Sequence, residues 1–588
     1  MHIHAPLSLL AFAAASSAAR IVATDNVPLL GPAFASNFDI SKSKAIEDAK
    51  AKFPSLIEEL FESKTLNKDG LIFSLDVFSA STNSSIYNYK HVGKSQEKAL
   101  TAGNLSDTTI TRTGSVSKLF TAYAIIAKGG MEVFSHPVTR YIPELAGNKS
   151  ENPLERIDWD DITVGTLMSH QAGTGGVSDL LLAYANSTDG PTTEGKSLIP
   201  PSLAIANIRC LEGLKHFRDV RRPTMSPHHT ALYSDGGYSL LTTVLSRMTG
   251  KPFGDAIKEI IFEPLGLEQM SSGAPKGSDI DVIDRRPIYN LSSWGGNPDF
   301  VAGSGGIYGS TRDFRLAGLS ILNSELLSAS TTKAWMKPMS GTGSLVELVG
   351  APWEIQRLMI PATPGSNRTR VSDLYTKAGG NGDYTAIIAL SPDHGIGYSL
   401  LVAGNSATPA RWPLRDVLGE TFIPAAEHAA VENAKKSLTG TFVAEGSEGT
   451  NLTITFDEGK PGLGLESLYH EGVDIRAQIL GSPEPIPVSV RLYPAGITSS
   501  KSLSSLYKSK GKISVKHNAV ISPLPLAPRA AVEGGKGGLF DNSQTWLSIG
   551  QFGPGDEFVF NLVDGRLESV TSFALKEAGV DGDLKRVD

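Results

Sequence analysis

The chain has 588 residues, 40% of them hydrophobic, with 60 glycines; this mix can bury a real core and excludes disorder throughout. Length alone would allow three or four domains at about 150 residues each, but one catalytic core of about 400 residues and a smaller accessory domain fit the pattern below better. Lys plus Arg number 54 against 61 Asp plus Glu, a net charge of −7, too mild and dispersed to form a nucleic-acid footprint. The single cysteine, Cys210, excludes an intrachain disulfide and a Cys-based zinc site.

Residues 1–19 hold an apolar run followed by the small residues Ser17, Ala18 and Ala19, the pattern of a secretory signal peptide, and the run is too short to span a bilayer. Asn-x-Ser/Thr sequons begin at Asn83, Asn104, Asn148, Asn186, Asn290, Asn367 and Asn451, which permits glycosylation of a secreted, extracellular chain. No later apolar stretch reaches the length of a membrane span. The apolar positions of 42–62 recur every three or four residues and predict a helix. The period then changes to two, and 71–80 with 85–92 read as a strand pair around the turn at Asn83. Helices follow at 116–128, stopped by Gly129-Gly130, and at 237–248, stopped by Thr249-Gly250. Strands return at 384–390 and 398–403, flanking a Ser-Pro-Asp-His-Gly turn.

Strands at both ends of the first 410 residues with helices between them predict a sheet assembled from both termini of the domain around a helical insertion. Residues 424–436 read as a connecting helix between a domain at 20–423 and one at 437–588. The latter shows short alternating runs at 452–456, 473–480, 488–493, 512–517 and 558–563, an all-β domain of barrel or sandwich type. Its expected role is to shield or shape the cleft of the first domain.

Three short motifs carry candidate chemistry. Ser115-Val-Ser-Lys118 opens an apolar helix and places Ser115 Oγ and Lys118 Nζ on one face, where a desolvated amine can take the serine proton. Taken alone, it is equally a solvated N-cap serine. Tyr233, in Tyr233-Ser-Asp235 before the next helix, can turn its phenol into a cleft and act as a base when a nearby ammonium stabilises the phenolate. Lys377-Ala-Gly379-Gly380 brings a glycine pair to a strand end; the backbone N–H groups of Ser115 and Gly380 make a two-donor oxyanion hole, and Lys377 can hold a substrate anion or keep Tyr233 ionised.

In this order and spacing, the three motifs resemble the Ser-x-x-Lys, Tyr-x-Asn and Lys-or-His-Thr-Gly motifs of the serine β-lactamase and penicillin-binding-protein superfamily, in its class C-like branch. Similar supporting stretches are Leu167-Met-Ser-His170-Gln-Ala-Gly173, Phe262-Glu-Pro-Leu-Gly-Leu267 and Gly305-Gly-Ile-Tyr-Gly-Ser-Thr-Arg312-Asp313. The resemblance covers about residues 50–410, and the whole chain is similar to larger secreted fungal members with a β-rich C-terminal domain. It implies an α+β fold, an antiparallel sheet flanked by helices with a helical lobe bearing Tyr233. It also implies a small-molecule acyl substrate, no cofactor, and a Ser115 acyl-enzyme with Lys118 and Tyr233 sharing acid–base work. Two residues depart from the pattern. Asp235 replaces an amide donor with an anion unless it is protonated or paired, and Ala378 lacks the threonine hydroxyl that helps bind a carboxylate in the family. Both favour an ester, lactone or small amide over a β-lactam or D-amino-acid peptide; a non-catalytic binding protein on the same scaffold is the third reading.

Other residues read as decoys. His228-His229 lack partners at metal-ligand spacing. His170 reads as a residue that orders a loop or helix terminus, and Asp393-His394 lack a Gly-x-Ser-x-Gly elbow to serve. The Gly303–Gly306 cluster lacks a P-loop ending and reads as a tight turn lining the cleft, with Tyr308 or Arg312 behind it. Cys210 reads as an inert thiol. Substrate shape rests on the irregular stretches 175–225 and 268–300, and the oligomeric state stays open.

Overall fold

The computed structural model describes residues 30–147, 149–177, 210–277, 279–295, 299–367, 369–480, 486–524, 546 and 549–588. The leader at 1–19, two sequons (Asn148 and Asn186), most of 175–225 and the Cys210 side chain lie outside the described residues.

Helix α1 (Lys44–Glu62) buries Ile46, Ala49, Phe53, Ile57 and Phe61, a stripe at spacings of three and four that needs an apolar partner. Strands β1 (Leu71–Ser79) and β2 (Ser84–Val92) form the expected hairpin. Helix α2 (Ser117–Gly129) follows a single 3₁₀ turn at Gly114–Val116, and α3 (Asp235–Thr249) and α4 (Thr311–Asn323) complete the central helices. The chain then returns through β3 (Ser340–Gly341), β4 (Glu347–Val349), β5 (Glu354–Pro361), β6 (Thr369–Asn381), β7 (Tyr384–Ser391) and β8 (Ile396–Gly404).

These strands make one antiparallel sheet of order β2-β1-β8-β7-β6-β5-β4-β3. Leu71 pairs with Gly404 and Ser79 with Ile396, so the two termini of the domain close the sheet, as the strand–helix–strand pattern predicts. Strands β1, β7 and β8 are buried along their whole length because helices cover both faces. On one face Ala386, Ile388 and Leu390 join α2, α3 and α4; on the other Ile387 and Ala389 meet α1 and the helix after β8.

That helix, α5 (Ala407–Asn433), corrects the expected connector at 424–436: it starts 17 residues earlier and carries Pro413 and Pro424 inside it. Pro424 suits a helix start, but Ala407, Ala410, Leu414, Leu418 and Phe422 form a continuous buried stripe on α1 and the sheet, and tertiary packing overrides the proline signal.

The C-terminal residues form β9 (Gly440–Val443), β10 (Asn451–Thr455), β11 (Leu463–His470), β12 (Val488–Thr498), β13 (Lys512–Pro523), β14 (Glu557–Val563), β15 (Arg566–Ser572) and β16 (Leu584–Arg586). Their order is β10-β9-β16-β15-β14-β13-β12-β11, and β10 also pairs with β11, which closes a barrel. The strand expected at 473–480 is only Val473–Asp474, followed by a 3₁₀ turn at Gln478–Leu480. Asp474 accepts from the Arg476 backbone N–H at 3.1 Å and from its guanidinium, which bends the chain out of the ladder.

The two domains interlock. Ala33, Phe34 and Ala35 pack in the barrel core with Ala430, Val431 and Leu438. In return Tyr507 enters the larger domain's core and donates to Pro392 O at 2.9 Å.

Candidate active site

Ser115 sits where β6, the 3₁₀ turn before α2 and the start of α3 meet. Two glycines make that meeting possible. Gly114 has φ +57°, and a methyl there would lie 2.7 Å from the Gly380 nitrogen; a methyl on Gly379 would collide with Thr113 O and lie 2.6 Å from the Ser115 nitrogen. The turn is fixed behind by Thr113 Oγ1, which donates to Ile307 O at 2.8 Å, and by Ser117 Oγ, which donates to Gly114 O at 2.7 Å.

Lys118 is fully buried. Its ammonium donates to Ser115 Oγ at 3.0 Å, Asp235 Oδ1 at 2.6 Å, Ser304 O at 2.8 Å and Ser304 Oγ at 2.9 Å. Burial alone would lower its pKa, but Asp235 and the adjacent Tyr233 phenol outweigh burial and hold it above the usual 10.5. The raised pKa differs from the expectation of a desolvated amine that is often neutral. Asp235 is the counter-ion of Lys118. Burial pushes the Asp235 carboxyl up, yet Lys118 and a Ser304 hydroxyl at 3.0 Å bring it below 3.8. The departure from asparagine therefore places a paired anion here, not a bare one.

Tyr233 faces the same cleft, with Lys118 Nζ 5.0 Å and Lys377 Nζ 5.4 Å from its ring centre. His170 sets its position, as the reading of that residue anticipates. The His170 carbonyl accepts the Leu232 N–H at 2.7 Å, its Nδ1 accepts the Ser234 N–H at 3.1 Å, and its ring lies 4.7 Å from that of Tyr233. Ser234 then caps α3 by accepting from Gly237 N. Burial, reinforced by Lys118 and Lys377, pushes His170 well below 6.5, so the ring is neutral and Nε2 carries its proton.

Lys377 is fully buried on β6 and ion-paired with Glu354, whose second oxygen accepts the Ala378 N–H at 2.9 Å. Lys377 also donates to Ala378 O at 2.7 Å. The cleft beside it has a volume of about 710 Å³ and is lined by Ser115, Tyr233, Glu354, Gly380, Arg411 and Trp412, among others.

The structure thus brings Ser115, Lys118, Tyr233, Asp235, Lys377, Gly379 and Gly380 together. Sequence reasoning missed Ser304, Glu354 and Arg411. Ser304 lay inside the Gly303–Gly306 cluster, a one-turn helix at Ala302–Gly305, and a serine among glycines was its only signal. Glu354 and Arg411 had none, because their strand and helix starts were not recognised. Behind the β6–β7 turn, Asp383 binds Arg285 at 2.6 Å and the Ser293 N–H at 2.9 Å, another support that only the fold reveals.

The decoys resolve differently. His228 and His229 lie on an exposed loop, and Arg312 pairs with Glu268 at the surface. Tyr308 is buried and accepts the Gly295 N–H at 3.2 Å. His394 does stand in a Ser–His–acid line, with Ser391 Oγ at 2.7 Å and Glu427 Oε2 at 2.8 Å. All three are sealed from solvent, so the set is structural. Arg370 ties Glu427 to Asp393 and to Gly31 O of the N-terminal stretch.

Comparison with known proteins matches residues 85–419 to the family model described as Beta-lactamase, and residues 430–579 to one described as Beta-lactamase-like-like, C-terminal domain. A β-lactamase-like protein of Arthroderma benhamiae is 28% identical over 423 residues, 66% of this chain and 67% of the relative. A probable hydrolase of a Phoma species is 25% identical over 447 residues, 73% and 71% of the two chains. Among solved structures, a D-stereospecific amidohydrolase from a Streptomyces species aligns with a TM-score of 0.46 at 16% identity, over 62% of this chain and 97% of its own. With the matched model spanning more than half of the sequence and all three motifs, the chain belongs to the β-lactamase family of serine hydrolases, extended by a β-barrel C-terminal domain.

Proposed function

We propose that this protein is a serine hydrolase working through an acyl-enzyme on Ser115. The observation that carries the reading is Ser115 Oγ at 3.0 Å from the buried Lys118 ammonium, at the wall of a cleft that Tyr233 also lines. Ser115 Oγ bonds to the substrate carbonyl carbon while its proton passes to Oη of Tyr233, which enters the step as the phenolate. The backbone N–H groups of Ser115 and Gly380 receive the oxyanion. On collapse the bond to the leaving group breaks, and Tyr233 delivers a proton to it. Water then attacks the acyl carbon along the same relay, releasing the acid and restoring Ser115. Lys118 acts as a fixed ammonium that orients Ser115, with Asp235 and Ser304 holding it in place.

Two substrate classes have specific support. Family membership supports a β-lactam or a small amide such as a D-amino-acid derivative, and pairing of Asp235 with Lys118 removes one objection to an anionic substrate. Ala378, which lacks a hydroxyl, and Lys377, already neutralised by Glu354, support a neutral ester or lactone. The test is a panel of p-nitrophenyl esters, nitrocefin and D-amino-acid amides, with the Ser115→Ala protein as control. Turnover of nitrocefin or amides in excess of esters decides for the first class, and the reverse for the second; turnover of any of them retained in Ser115→Ala would refute the mechanism.

Export and glycosylation are also proposed. The leader-like residues 1–19 support them, as do the exposed sequons at Asn83, Asn104, Asn290 and Asn367; Asn451 lies half-buried in β10 and is a poorer acceptor. Among the described residues no helix is long and apolar enough to cross a membrane.

A further inference from the structure

Lys377 is the residue whose ammonium would receive a substrate anion beside Gly380, yet it is buried and already ion-paired. One Glu354 oxygen pairs with Nζ, the Ala378 carbonyl accepts from it at 2.7 Å, and no part of the Lys377 side chain is exposed. Glu354 itself is 28% exposed at the side chain and lines the cleft, so at this point the wall shows the substrate a carboxylate in place of a free cation. The position is built into the fold. Glu354 opens β5 opposite Thr376, whose hydroxyl donates to Glu354 O at 2.7 Å, and its second oxygen is pinned by the Ala378 N–H at 2.9 Å.

Other charges stand near Glu354, and Glu347 also lines the cleft, accepting from Gln356 Nε2 at 3.1 Å. Lys118 and Asp235 neutralise each other at 2.6 Å. Arg415 pairs with Asp416 at 2.6 Å. Arg411 donates to Thr385 Oγ1 at 3.0 Å and lies 4.2 Å from the Trp412 ring centre. Burial lowers the Arg411 pKa and the field of Glu354 draws it back up, so one carboxylate serves Lys377 by contact and Arg411 at longer range.

We infer that Glu354 is a built-in counter-anion that determines specificity: it occupies the place of a substrate carboxylate next to the acyl-transfer centre and selects substrates that are uncharged where they pass Lys377. A second negative charge entering there would find Lys377 already paired and would face the Glu354 carboxylate at the wall, and like charges a few ångströms apart repel even through partly solvated surroundings. This deepens the reading of Ser115 as nucleophile and rests on it.

The test compares kcat/KM for matched pairs of esters. One pair carries the charge on the acyl side, p-nitrophenyl valerate against mono-p-nitrophenyl glutarate. The other carries it on the leaving group, 4-nitrophenyl butyrate against 3-carboxy-4-nitrophenyl butyrate. In at least one pair the wild type is expected to favour the neutral ester by about tenfold or more, the size of one repelling charge at this range. Glu354→Gln, which keeps an acceptor for the Ala378 N–H, should erase that preference by accelerating the anionic ester, and Glu354→Asp should retain it. Wild-type enzyme that favours the anionic member of both pairs, or a preference that Glu354→Gln leaves unchanged, overturns the inference while Ser115-dependent turnover stands. Release from both pairs that survives Ser115→Ala overturns the acyl-enzyme reading and this inference with it.

Discussion

At the level of single residues, the site depends on backbone contact between the Ser115 turn and β6. Gly379→Ala would drive a methyl into Thr113 O and the Ser115 nitrogen. Because a shift of about 1 Å at a reacting atom costs on the order of 100-fold, kcat on the best ester or amide substrate should fall by about that factor, with the fold retained by circular dichroism. His170 makes a separate prediction. Its pKa is depressed in the folded protein and near 6.5 when unfolded, so the unfolded chain binds the proton first. The stability it contributes is present above about pH 6.5 and is lost as pH falls below that value. The melting temperature of the wild type should therefore drop more steeply between pH 7 and pH 5 than that of His170→Asn; equal slopes would count against a buried neutral imidazole. The nucleophile motif, Tyr233 and the glycine pair were legible in the sequence because each is a short run with a local chemical reason. Ser304 and Glu354 were not, since they act only through neighbours more than 20 and up to 186 positions away.

Elements were legible wherever local periodicity and burial agree. Helix α1 and strands β1, β7 and β8 fall within a few residues of their predicted bounds, because one face or both must be covered. Strands β5 and β6 escaped notice: β6 is buried along most of its length and shows little alternation, and β5 mixes Arg, Gln and Met with its Ile residues. The start of α5 was misplaced because a proline outweighed a buried stripe. The same helix carries Glu427, the acidic end of the sealed Ser391–His394 line. Burial alone would raise the Glu427 carboxyl, but Arg370 and His394 bring it down to about 2. Its stabilisation is present above the unfolded value of 4.5 and is lost as pH falls through that range toward about 2. Glu427→Gln removes one of the two carboxylates on the buried Arg370, leaving Asp393, and should cost about 1–3 kcal/mol, read as a lower denaturation midpoint at pH 7. An unchanged midpoint would show that the ion pair contributes little to stability.

On the scale of the whole molecule, a closed barrel and a sheet-and-helix domain share residues across their boundary. The stretch around Phe34 completes the barrel core, and Tyr507 completes the larger domain's core. Truncation after residue 438 would expose both Phe34 and the Tyr507 socket, and should yield a protein that aggregates on size-exclusion chromatography where the full chain elutes as a defined species. A monodisperse, active truncation would show that the barrel is dispensable to the fold. This interlocking was invisible in the sequence, where the two domains read as units joined by one helix, because the contacts join residues hundreds of positions apart.

The central claim is that Ser115 becomes covalently acylated. Intact-mass and peptide mapping after incubation with a fluorophosphonate probe test it most directly. The account predicts a single adduct on the peptide containing Ser115 in the wild type and none in folded Ser115→Ala. An adduct formed at the same rate in both proteins, or a wild type that stays unlabelled while it turns over substrate, would contradict it.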